Sequence, residues 1–151
     1  MKADMPASNE PSGLLRTDGK RPDGVTLLPW KSGRHLTWDV TVIDTVAASY
    51  INSTSSIIAG GAAELASSRK QGKYNLLAKT YDFCAVAFES LGPINEDGLN
   101  LLKELGRRLT IVSGDTREFP FLLQRISIAI QRCNAVSFRG SFPSLESNDT
   151  A

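Results

Sequence analysis

A chain of 151 residues, 41% hydrophobic and 22% charged, has the composition of one soluble globular domain with or without a tail. Its formal net charge of +1 excludes overall basicity as a means of holding nucleic acid, so a basic surface has to be local. No apolar run approaches the ~18 residues of a membrane span and no charged-then-apolar leader marks secretion, so the expected setting is nuclear or cytoplasmic, with no membrane partner. Cys84 and Cys133 lie far apart, outside any CxxC pair. They read as buried thiols in a reducing compartment and not as zinc ligands.

Residues 1–20, rich in Pro, Ser, Gly, Asn and Asp, read as a disordered leader. Val25–Leu28, between Gly24 and Pro29, is predicted as a strand, and Trp30–Arg34 as a hairpin turn. Thr37–Asp44 is dense in β-branched residues and predicts a second strand. Its alternation gives one apolar face of Trp38, Val40 and Val42, and a second face carrying Asp39 and Thr41. Asn52–Ser56 reads as loop and Gly60-Gly61 as a break. From Ala62 to Tyr81, Ala63, Ala66, Lys70, Lys73, Tyr74 and Leu77 recur at helical spacing. Phe83–Phe88 is a buried strand by composition. Asn95 can cap a helix to about Val112 with core positions Leu102, Leu105, Leu109 and Val112, ended by Ser113-Gly114-Asp115. A last helix from about Glu118 to Phe138 carries an apolar stripe of Leu122, Ile126, Ala129, Ile130 and Cys133, and Ser141–Ala151 is a polar, disordered tail. The folded domain is thus expected over residues 21–140, as an α/β fold with a small mixed sheet flanked by helices.

Three features can carry chemistry. Asp23, in Arg21-Pro22-Asp23-Gly24, stands at the lip of the first strand, and Asp39 lies inside the second. A hairpin can fold both carboxylates onto one end of the sheet. Lys70 and Lys73 share a face of the following helix, next to Tyr74. Two adjacent carboxylates suit Mg²⁺ or Mn²⁺, because hard cations prefer oxygen ligands, and a nearby lysine can neutralise charge developing on a phosphodiester. The plainer readings are a Pro-Asp-Gly turn, a half-buried Asp39 hydrogen-bonded to its surroundings, and lysines on a solvated face. Glu89 can join the site, or be a surface carboxylate at a strand end. Arg117 adjoins a further basic set, Arg125, Arg132 and Arg139, whose seven-residue spacing lines one face of the last helix; they can track a phosphate backbone or be a solvated face. His35 reads as a surface residue in the hairpin. There is no P-loop and no GxGxxG pattern.

Arg21-Pro22-Asp23, Trp38-Asp39-Val40-Thr41 and Lys70-Gln71-Gly72-Lys73-Tyr74, in that order, resemble the PD-(D/E)xK nucleases. They most resemble the restriction-like endonuclease domain of site-specific non-LTR retrotransposons, in which the lysine has moved from the strand to the next helix. The likeness covers about Arg21–Leu91. It implies a restriction-endonuclease-like core and Mg²⁺- or Mn²⁺-dependent hydrolysis of DNA. It also implies that Asp23 and Asp39 hold the metal, that Lys70 or Lys73 is the migrated lysine, and that Tyr74 supports it. Gly114-Asp115-x-Arg117, Gln124–Ser127 and Ala129–Ala135 are similar to the C-terminal end of reverse-transcriptase polyproteins, which implies DNA and a parent reverse-transcriptase domain as partners. Thr41 occupies the usual lysine position, which is why the migrated-lysine branch is the nearer likeness. Two departures stand: no reverse-transcriptase residues are present, so this would be a separated piece, and residues 1–20 do not read as the helix that opens such cores. The alternative is an inactive retroelement remnant that binds nucleic acid or serves as an interaction module.

Overall fold

In the computed structural model the densest run of β-branched residues, Thr37–Ile43, lies in the third strand of a sheet. The structure describes residues 5–11, 21–44, 59–90 and 92–140, without the side chains of 137 and 138. Within these, β1 (Ala7–Asn9), β2 (Gly24–Thr26), β3 (Leu36–Ile43) and β4 (Asp82–Glu89) form one sheet in the order β1-β2-β3-β4. The first two pairings are antiparallel and β3 with β4 is parallel, so the sheet is mixed. Three helices complete the α/β fold: α1 (Gly61–Lys73), α2 (Glu96–Ser113) and α3 (Glu118–Gly140). None of the helices among the described residues is long and apolar enough to cross a membrane.

The β2–β3 connection closes through Ser32 and Gly33, both in the left-handed region (φ 49° and 73°), with Lys31 bridged to Arg34. Two residues in that conformation match the twist of a tight hairpin turn. The parallel β3–β4 pair requires a crossover, and α1 supplies it.

Side chains alternate across β3 and β4. Thr37, Asp39 and Ile43 lie on the α1 face, with Ala85, Ala87 and Glu89 beside them. There Ile43 and Ala87 pack against Ala62, Ala63 and Ala66, whose small side chains let α1 approach closely. On the other face Leu36, Cys84, Val86 and Phe88 pack against Leu102 of α2 and Ile130 of α3. β4 is therefore buried on both faces, as a parallel strand under helices must be.

Several expectations are corrected. Residues 7–9, inside the predicted leader, form the edge strand β1, because Ala7–Asn9 can pair with the otherwise open side of β2. The remaining leader (1–4 and 12–20), the loop at 45–58 and the tail from 141 lie outside the described residues. The first helix stops at Lys73, eight residues short of Tyr81. Tyr74 leaves helical geometry to stack its ring on Phe83 at 4.8 Å, and a 3₁₀ turn, Leu77–Lys79, follows. Val40 and Val42 are 44% and 49% exposed. The Asp39 face, not the Val40 face, is the buried one here. Val112, Ala129 and Cys133 are exposed, since they turn away from the α2–α3 contact; Cys84 is buried as expected. His35 is half-buried, its Nδ1 2.7 Å from the Thr26 carbonyl.

Candidate functional site

Asp39 is set by β3 and by α1 above it. Its side chain is almost fully buried, at 4% exposure, among small residues of β4 and α1. A carboxylate in that position needs a cation, and Lys70 of α1 supplies one: its Nζ stands 2.5 Å from Asp39 Oδ2. Apart from Lys70, nothing donates to Oδ2 among the described residues. Burial pushes the Asp39 carboxyl above its ordinary range; Lys70 draws it back, and the neighbouring Asp23 carboxylate adds to the rise.

Asp23 is placed by the backbone. Its N–H donates to the Trp38 carbonyl (2.9 Å) and its Oδ2 accepts from the Val40 N–H (2.6 Å). The side chain thus continues the ladder that β2 begins, and brackets Asp39 between its two bonds.

Tyr74, also buried, donates its hydroxyl to the Arg21 carbonyl at 2.9 Å, which ties the end of α1 to the segment leading into Asp23. Lys73 is exposed and Lys70 half-buried, so Lys70 is the lysine at the carboxylates and Lys73 the one in solvent. Asp23, Asp39, Lys70 and Tyr74 therefore come together from three separate elements.

Other candidates fall elsewhere. Glu89 is buried and its Oε1 accepts from the N–H groups of Ala62 (3.1 Å) and Ala63 (3.2 Å), at the start of α1. It caps that helix and takes no part with Asp39. Arg117 is held by Asp115, with nitrogen–oxygen distances of 2.9 and 3.1 Å. Arg125, Arg132 and Arg139 are exposed on α3, which packs on the α2 side of the sheet, away from the Asp39 face. Two cavities, of about 690 and 420 Å³, also lie on the α2 side, lined respectively by residues such as Asp82, Cys84 and Glu104 and by Trp38, Val86 and Leu105.

The donors at Asp23 and Asp39 fit a hard cation. Both are carboxylates, and they lie close enough for the Asp23 charge to act on Asp39. No group of three or more His, Cys, Asp or Glu side chains that could hold a metal occurs among the described residues. In comparison with known proteins, no family model matches the chain, and no curated protein matches it.

Proposed function

We propose that this chain is a restriction-endonuclease-like domain that hydrolyses DNA phosphodiester bonds with Mg²⁺ or Mn²⁺, derived from a non-LTR retrotransposon polyprotein. The observation that carries the reading is the convergence of Asp23, Asp39 and Lys70 where the β2–β3 pairing of a mixed sheet ends. On this reading Asp23 and Asp39 hold the cation, which polarises the phosphodiester and acidifies a bound water. Lys70 balances the Asp39 carboxylate in the free protein and would be within reach of charge that grows on the phosphate. Tyr74 fixes the approach to Asp23 through the Arg21 carbonyl. Exposed Lys73, on the same helix, is the cation available to a DNA backbone passing this face. A reverse-transcriptase domain of the parent polyprotein would deliver that backbone.

The test is nicking of supercoiled plasmid in Mg²⁺ or Mn²⁺ by the wild-type chain and by Asp39→Ala. Metal-dependent nicking that falls by about 100-fold or more in the variant is expected. One observation favours a second reading, an inactive remnant: Lys70 already neutralises the carboxylate that a metal would use. A folded wild-type chain that leaves the plasmid intact with either ion establishes that second reading.

A further inference from the structure

The outward face of α3 carries a pattern that neither the core nor the candidate site uses. Phe119, Leu122, Leu123, Ile126 and Ile130 pack inward. At 100° per residue the opposite side of the helix holds Phe121, Arg125, Ile128, Arg132, Ala135 and Arg139, at steps of four and three. All six are exposed, and Val136 beside them is 71% exposed. Arginine thus recurs every seventh residue, and an apolar residue every seventh residue between them, over ~27 Å of helix. That 3.5-residue repeat is the seam of a left-handed coiled coil.

Charge narrows the occupant. After Glu118, α3 has no carboxylate, and none of the three arginines is paired with one among the described residues. A second copy of this chain would set arginine layers near one another across the seam. A phosphate backbone would engage the arginines and leave Phe121, Ile128 and Val136 in water. A helix with aliphatic residues and carboxylates at alternating seam positions satisfies both halves of the pattern. We propose that this face of α3 docks one acidic amphipathic helix of a partner protein. The proposal is independent of the nuclease reading, because the face lies across the sheet from Asp39.

The full chain is titrated by fluorescence anisotropy against a synthetic peptide of ~20 residues with Leu and Glu alternating at the seam positions. The expected result is binding in the micromolar range, weakened about tenfold or more by Arg132→Glu and by Ile128→Gln. A peptide carrying Lys in place of only the one Glu that meets position 132 should recover affinity for Arg132→Glu alone. Both substitutions are on the surface, and circular dichroism checks that each variant folds. Absence of peptide binding at ~1 mM, or no charge-reversal rescue, overturns the proposal. So does tighter binding of a duplex of ~20 base pairs, or of phosphatidylserine vesicles, that is lost when Arg125, Arg132 and Arg139 are changed to Ala.

Discussion

At the scale of single residues, Asp39 couples stability to chemistry. Burying a carboxylate is unfavourable unless a cation stays with it, and Lys70 is the cation here. Lys70→Met leaves that carboxylate unpaired and is expected to destabilise the chain by about 1–3 kcal/mol, below the usual range for a fully buried pair because Lys70 keeps 30% of its side chain exposed. In an Asp39→Asn background the same substitution should be close to neutral. Urea unfolding of the four chains measures the difference, and equal losses in both backgrounds would remove Lys70 as the partner that matters. Gly24 shows how the same edge is fitted together. A Cβ there would lie 2.1 Å from Cζ2 of Trp38, so only glycine lets the indole lie across β2 opposite the Asp39 face.

At the scale of elements, helix starts are served by side chains from elsewhere in the chain. Gly60 opens α1 without a capping side chain, and Glu89, at the end of β4, takes two of its free N–H groups. Asn95 opens α2 by position, yet its amide turns to the edge of β4, accepting from the Ala87 N–H and donating to the Ala85 carbonyl and to Ser67. Glu64 of α1 then accepts from the Glu96 N–H in its place. Glu89→Ala strands two buried donors and is expected to cost about 2–3 kcal/mol, with Glu89→Gln costing less because an acceptor remains. Thermal unfolding of both variants checks the order. These exchanges explain what could be read beforehand. Periodicity and β-branching reveal β3, β4, α2 and α3, because each depends on its own residues. Asp23 and Asp39 were legible as a pair through the hairpin between them. Asn95 and Gly114 were legible as the two ends of α2. The service of Glu89 and Glu64 at the helix starts, the end of α1 at Lys73 and the strand at Ala7–Asn9 were not, since each is decided by a residue far away in sequence.

At the scale of the whole molecule, α2 is tied to the β2–β3 turn by a small charge relay. Glu104 accepts from Arg107 and Arg108, and Arg108 lies over the Trp30 ring at 3.7 Å while donating to the Trp30 carbonyl. Arg107 first, and Arg108 with it, hold the Glu104 carboxyl down to about 2. A depressed carboxylate contributes fully above its ordinary value of 4.5, and the contribution is lost as pH falls toward about 2. Glu104 is about a third exposed, so the amount is expected to stay under ~1 kcal/mol. Urea midpoints at neutral pH and near the lower end of that window should fall less for Glu104→Gln than for the wild-type chain; an identical fall would exclude the relay.

The amide of Asn95 has one more consequence. β4 is the most apolar strand and stands at the end of the sheet, where unpaired backbone groups would otherwise recruit a strand from another molecule. Asn95 occupies two of those groups with its side chain and a third with its own N–H, while the Pro93 carbonyl takes the N–H of Glu89. The Pro93–Asn95 segment thus does the work of a fifth strand along this edge, leaving those groups closed to a strand from another chain.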